Sequence, residues 1–225
     1  MKNKIQLPTV IFGIAVAADI IGIAANISLL HYFAKPLLLP VLIMLLATAT
    51  PAVAGKKIML VALFFSWLGD MFLLFESRQS LFFILGLVSF LTTHVLYIIY
   101  FLSIGSNQIS LLKKQPLLIA AVSAYGIALV WLLFPHLKDL KIPVMIYAAV
   151  ICIMLLCSLH IYFKVNKPAN TLFVSGALFF VLSDSLLAIN KFYQPFAFAG
   201  VCIMLTYCAA QYFIVTGFIK QQQHD

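Results

Sequence analysis

Negative charge is what this sequence has least of: six acidic residues face 14 basic ones in a chain of 225, and charge of either sign makes up only 9% of it. Soluble domains carry about 25% charged residues, so a water-soluble fold is excluded. Cysteine is scarce too. Cys152, Cys157, Cys202 and Cys208 all lie inside apolar runs with neither metal nor redox spacing, which leaves them as small core residues. Long polar segments and low-complexity tracts are missing, so whatever the chain does is done in or at a membrane.

What is present is hydrophobic: 64% of the residues are apolar and the mean hydropathy is +1.13. Runs of the about 20 apolar residues that cross a bilayer cover approximately 8–30, 36–54, 57–75, 81–102, 116–134, 143–163, 170–190 and 197–219. Pro, Gly and charge punctuate them at Lys35-Pro36, Gly55 to Lys57, Glu76 to Ser80, Gly105 to Pro116, Pro135 to Pro143, Lys167-Pro168 and Gln194-Pro195. The pattern predicts an all-α integral membrane protein, one bundle of eight transmembrane helices forming a single domain over residues 1–225. The first run is too long for a signal-peptide core and holds Asp19, so it reads as the first span. Lys2, Lys4, Lys56, Lys57, Lys113, Lys114, Lys164, Lys167 and Lys220 fall on one side, and Lys35, Arg78, Lys138, Lys141 and Lys191 on the other. The basic excess on the first side places both termini in the cytoplasm. The net charge of +8 then answers to topology and anionic lipid headgroups, not to nucleic acid, for which no basic motif is visible.

Three of the six acids, Asp19, Asp70 and Asp184, lie inside spans. Each costs about 2.5–3.5 kcal/mol on insertion scales when charged, and intramembrane acids mark functional sites by default. The plainer alternative is polar glue between helices. Asp70 and Asp184 favour function as a pair. Both sit in spans that run outward, each about six residues before the outer end, or about 9 Å below it. Leu68-Gly69-Asp70-Met71-Phe72-Leu73 matches Leu182-Ser183-Asp184-Ser185-Leu186-Leu187, with a small residue before each acid that lets a helix or a substrate approach. Their offset equals four spans, as expected if two four-helix halves arose by duplication. Asp19 lies nearer mid-membrane and reads as structural.

The remaining intramembrane polar residues are weighed singly. Ser66 lies one turn from Asp70 and bonds either that carboxyl or its own helix. His94 shares a helix face with Tyr97, and Tyr207 with Gln211; they line the deep end of a cavity or pin helices together. His94 has no second histidine in a matching pattern, and zinc wants three protein ligands, so no metal or other cofactor is expected.

"KPLLLPVL" (35–42), "FSWLGDMFLL" (65–74), "FFILGLVSFLTTHVLY" (82–97), "SGALFFVLSDSLLAINKF" (175–192) and "YCAAQYFIVTG" (207–217) resemble, in order and spacing, the YhhN-like family of membrane proteins that includes the lysoplasmalogenases. The resemblance covers nearly the whole chain. It implies an eight-span hydrolase, without cofactor, that cleaves the vinyl ether of a lysophospholipid to a fatty aldehyde and glycerophosphoethanolamine or glycerophosphocholine. It implies Asp70 and Asp184 as the catalytic acid pair, with Lys35, His94, Asn190, Lys191, Tyr207 and Gln211 at the family's other recurrent polar places; Ser66 joins them as a candidate substrate contact. Asp19 has no counterpart.

The chemistry suits two carboxyl groups. Protonating a vinyl ether on carbon gives an oxocarbenium ion that water traps as a hemiacetal. One carboxylic acid must hold its proton near neutral pH, and a second, ionised one stabilises the cation and activates the water, a division of labour shared with glycosidases. Which aspartate takes which part is open, because a coupled pair titrates as a unit. Lys35, Arg78 and Lys191 are expected at the outer rim, holding the lipid phosphate; snorkelling anchorage is the other account of Arg78. Rival functions use the same acids. An intramembrane aspartyl protease would need a "GxGD" string, but Trp67-Leu68 precedes Gly69-Asp70, and no "PAL" follows. A proton-coupled transporter would favour spans broken by central Gly or Pro, and apart from Pro40 near a helix end spans 2 to 8 show little of that. A purely structural protein predicts silent Asp70→Asn and Asp184→Asn.

Overall fold

A computed structural model describes residues 2–105 and 108–223, with side chains from residue 5 onward. The side chains of Lys2 and Lys4, and Asp225, lie outside the described residues. The chain forms two compact units, Met1–Tyr100 and Phe101–Asp225. The boundary falls near the end of the fourth long helix.

The first unit contains α1 (Lys2–Ala24), α2 (Ser28–Ala49), α3 (Lys56–Leu74) and nearly all of α4 (Ser80–Ser103). Asn26 turns α1 into α2 with φ 57°, a left-handed conformation that Asn tolerates better than most residues. Gly55, at φ 81°, does the same ahead of α3. The expected break at Lys35-Pro36 does not occur: α2 begins at Ser28 and runs through both Pro36 and Pro40. An interior proline normally breaks a helix because it removes a ladder hydrogen bond. Here Pro40 has no N–H to offer the Pro36 carbonyl four residues back, and the Trp67 indole of α3 donates to that carbonyl instead, at 3.0 Å. The freed group is satisfied by a neighbouring helix, as a lipid environment demands.

The second unit contains a short α5 (Leu111–Lys114), α6 (Leu117–Leu133), two single 3-10 turns at Phe134–His136 and Lys138–Leu140, α7 (Lys141–His160), α8 (Lys167–Ala188) and α9 (Ala199–Gln222). A π-helical turn, Ile189–Tyr193, prolongs α8. Pro143, expected to open a span, and Pro168, expected between spans, both occupy first turns, of α7 and α8, where the missing N–H has no ladder partner to lose. Asn166 caps α8, its side-chain oxygen accepting from the Ala169 N–H at 2.9 Å. α8 and α9 pack face to face around Gly176, where an added Cβ would lie 2.6 Å from Ile214 Cγ1 and 3.0 Å from the Ala210 carbonyl oxygen.

Among the described residues, eight helices are long and apolar enough to cross a membrane, and there is no strand. The all-α, eight-span expectation therefore holds, with its largest error at the start of α2.

Candidate functional site

Asp70 occupies α3 four residues before that helix ends, about 6 Å along the axis, and is 2% exposed. Gly69 admits the Phe90 ring of α4, whose Cε2 would stand 2.6 Å from a Cβ at that position. The small residue before the acid thus serves a close helix approach, as the sequence suggested. One turn earlier, the Ser66 hydroxyl lies 3.1 Å from Thr93 Oγ1, and Thr93 in turn donates towards the Ala62 carbonyl at 3.1 Å. Ser66 is therefore part of an α3–α4 tie, a partner that neither sequence alternative named. His94, beside Thr93, and Tyr97 are both fully buried on α4.

Lys35 departs from expectation. It lies seven residues inside α2, about 10 Å from the helix start, and is 8% exposed. The Trp67–Pro36 bond fixes the register of the antiparallel α2 and α3, so Lys35 lies within about one helical turn of Asp70 in depth. It is a buried cation and not a rim residue, because α2 starts earlier than its prolines implied. Among the described residues, no carboxylate lies within ion-pair distance of its ammonium. Arg78 is exposed, its guanidinium 5.0 Å from the centre of the Phe75 ring, which is how an interfacial anchor sits.

In the second unit, three consecutive residues of α8 reach three different helices, as the 3.6-residue turn allows. Ser183 donates to the Ile203 carbonyl of α9 at 3.1 Å. Asp184 accepts from the Tyr147 hydroxyl of α7 at 2.5 Å. Ser185 accepts from the Tyr125 hydroxyl of α6 at 2.7 Å and itself donates to the Val181 carbonyl. Like Asp70, Asp184 stands four residues before the end of its α-helix. A largely apolar cavity of ≈ 40 Å³ is lined by Asp184 together with Tyr125, Gly126, Tyr147 and Cys152 among others. One water needs about 10–15 Å³ by this measure, so the cavity has room for at least one.

Tyr125, Tyr147 and Ser185 were not among the sequence-derived candidates. Their signal was present: a tyrosine inside an apolar span must find a partner for its hydroxyl, because the bilayer supplies none. Of the other expected residues, Tyr207 packs its ring edge-on against Phe180, with centroids 5.7 Å apart, and Gln211 is fully buried on α9. Asn190 and Lys191 lie on the π-helical turn after α8, where Asn190 Oδ1 is 3.4 Å from the Phe196 nitrogen and Lys191 is exposed. Asp19 has a partner that the sequence reading missed: its Oδ1 lies 2.7 Å from His31 Nδ1, tying α1 to α2. Among the described residues, no group of three or more His, Cys, Asp or Glu side chains is placed to hold a metal.

No solved structure matches this chain. It is 31% identical over 167 residues to lysoplasmalogenase TMEM86A of Homo sapiens, an alignment covering 72% of this chain and 65% of that protein. To the uncharacterized membrane protein YhhN of Escherichia coli O157:H7 it is 28% identical over 185 residues, 80% of this chain and 83% of the other. A lysoplasmalogenase of Mycobacterium tuberculosis is 30% identical over 184 residues, covering 79% and 66%. The chain therefore spans just under two thirds of the length of the human relative. Eight apolar helices make it an integral, multi-pass membrane protein. The YhhN family model matches residues 30–218, leaving Asp19 outside and taking in every other candidate residue, and the chain belongs to the YhhN family.

Proposed function

We propose that this chain is a single eight-span domain with both termini in the cytoplasm, and that it hydrolyses the vinyl ether of lysoplasmalogens using Asp70 and Asp184 as an acid–base pair. Two relatives named lysoplasmalogenase support the reaction class. The observation that carries the mechanism is the Asp184 carboxyl, held by the Tyr147 hydroxyl beside a cavity with room for water.

In this reading Asp184 is the ionised partner. An ionised carboxylate only accepts hydrogen bonds, which fits the Tyr147 donor, and the cavity beside Asp184 is large enough to admit the attacking water. Asp70 then delivers its proton to the alkene carbon next to the ether-bearing one. The electron pair of the C=C bond forms the new C–H bond, and the ether oxygen shares the positive charge left behind. Water adds to the ether-bearing carbon and passes a proton to Asp184, giving a hemiacetal. The C–O bond to glycerol then breaks, the hemiacetal hydroxyl proton passing to Asp70 and the Asp184 proton to the departing oxygen, which gives a fatty aldehyde and glycerophosphoethanolamine or glycerophosphocholine and restores both acids. No cofactor is needed. Lys35, a buried cation near Asp70 in depth, is the candidate holder of the lipid phosphate, with Lys191 at the exposed end of α8. Ser66, His94, Asn190, Tyr207 and Gln211 are the remaining candidate substrate contacts.

The test is aldehyde release from a lysoplasmenyl lipid by detergent-purified protein, with folded Asp70→Asn and Asp184→Asn variants alongside. Activity in the wild type and loss in both variants is the expected result. Variants as active as the wild type would return both acids to the role of interhelical glue.

A further inference from the structure

We propose that the end of the second unit where α6 and α8 begin and α7 and α9 finish holds the headgroup of an anionic phospholipid, bound by Lys113, Lys114, Lys164, Lys167 and Lys220. The site is separate from the hydrolase chemistry: Asp184 lies 17 residues along α8 from Lys167, about 26 Å away.

Contacts gather the five lysines in one place. α5 docks on the turn between α7 and α8, with the Lys114 ammonium 4.3 Å from the centre of the Phe163 ring. On the same turn Lys164 Nζ lies 2.9 Å from His160 Nε2, and Lys113 is near enough for its charge to act on that imidazole. Asn166 ties in α9: its Nδ2 donates to the Lys220 carbonyl at 3.1 Å, which brings the end of α9 to the start of α8, where Lys167 stands. No acid answers these charges. Among the described residues of the second unit the acids are Asp184 and Asp139, the latter beyond the opposite end of α7, and none of the five lysines has an ion-pair partner.

A basic excess at helix ends sets topology by charge alone, and freely snorkelling lysines would serve that purpose. Three of these lysines are placed otherwise. Lys114 is held over a ring, and Lys164 by an imidazole nitrogen that must accept, since an ammonium only donates. Lys167 opens α8, where the helix dipole already presents positive charge and disfavours a lysine with no anion against it. A phosphodiester supplies the missing charge through short, charge-assisted hydrogen bonds. It comes from the bilayer and not from solution, because Leu117, Ile119 and Phe163, all exposed and apolar, border the lysines and belong in lipid. Clusters of about four to eight basic residues beside a span recognise anionic lipids in this way. With both termini in the cytoplasm, as proposed above, the lipid belongs to the cytoplasmic leaflet.

The experiment places the full chain in nanodiscs of equal phosphatidylglycerol and phosphatidylcholine, extracts it into mild detergent, and counts the co-purifying phospholipid by mass spectrometry. Phosphatidylglycerol should be enriched several-fold over the bilayer ratio. Lys164→Gln with Lys167→Gln should remove most of that enrichment, and Arg at both positions should restore it. Lys138→Gln with Lys141→Gln takes the same charge from the opposite end of the unit and should leave the enrichment unchanged. Circular dichroism checks that each variant keeps its helices. A wild type without enrichment, a Lys164→Gln, Lys167→Gln variant that retains it, or equal loss from both pairs overturns the proposal; equal loss would mean diffuse attraction without a site. Excess inorganic phosphate should not strip the lipid, and if it does, the lysines take free phosphate and the lipid assignment falls.

Discussion

Replacing Trp67 by Phe tests how the first unit holds a helix containing two prolines. The Pro36 carbonyl has lost its helical donor to Pro40, and the Trp67 indole supplies the substitute at 3.0 Å. Phenylalanine keeps an aromatic ring and removes the donor, leaving a carbonyl without a partner in an apolar setting. In water-soluble proteins an orphaned buried group costs about 1–3 kcal/mol; measured interhelical polar contacts in membranes average about 0.6 and reach about 1.7 kcal/mol. The expected loss for Trp67→Phe is therefore about 1–2 kcal/mol. The diagnostic is a double-mutant cycle with Pro40→Ala, which restores an N–H four residues after Pro36. In that background the indole is redundant, so Trp67→Phe should become cheaper by about 1 kcal/mol. The readout is unfolding by SDS in mixed micelles, followed by far-UV circular dichroism, because the chain has only two tryptophans and one of them is being removed. Sites that do not interact add within about 0.3–0.5 kcal/mol. Strict additivity of the two substitutions would refute the account of α2, and with it the register that places Lys35 near Asp70 in depth.

Other expectations follow from the same geometry. Tyr147→Phe removes a charge-assisted hydrogen bond of about 1.5–3 kcal/mol from Asp184 and should lower kcat about 10- to 150-fold without unfolding the protein; an unchanged kcat would detach Tyr147 from the chemistry. Lys35→Ala should raise KM for the lysolipid far more than it lowers kcat, in steady-state aldehyde assays, and unchanged KM would remove Lys35 from phosphate binding. Asp19→Ala breaks the contact with His31 and should lower stability in SDS titrations by about 1–2 kcal/mol while leaving aldehyde release intact; loss of activity in a folded variant would move Asp19 into the site.

The helices were legible because bilayer thickness fixes the length of an apolar run and nearly every break carried Pro, Gly or charge. The exception is instructive. Lys35-Pro36 has the local marks of a helix boundary, and only a donor 31 residues further on, Trp67, makes a continuous helix possible. Local propensity cannot register such a partner. The acids were legible because charge in an apolar run is conspicuous, whereas their neighbours were not: Tyr147 and Tyr125 look like ordinary aromatic residues of a membrane span until α6, α7 and α8 are assembled around Ser183-Asp184-Ser185. His31 was overlooked for a related reason, since it belongs to a helix whose start was placed too late.

The residues preceding the two acids carry a last prediction. Gly69 and Ser183 occupy equivalent places in matching strings, and each lies against a neighbouring helix, but they do so differently. Gly69 makes room: a Cβ would stand 2.6–3.0 Å from three atoms of the Phe90 ring, which is itself only 6% exposed and has little freedom to retreat. Ser183 makes a bond, to the Ile203 carbonyl at 3.1 Å. The same substitution, to alanine, should therefore act unequally. Gly69→Ala overpacks the α3–α4 contact and should cost about 1–3 kcal/mol, displacing Asp70 with it and lowering activity. Ser183→Ala fits the space and forfeits only a hydrogen bond of about 0.6 kcal/mol, so activity should nearly persist. SDS unfolding and aldehyde release of the two variants, measured side by side, decide the matter. If Ser183→Ala proves the more damaging, close approach is not what the small residue provides, and the likeness of the two strings reflects ancestry without a shared mechanical role.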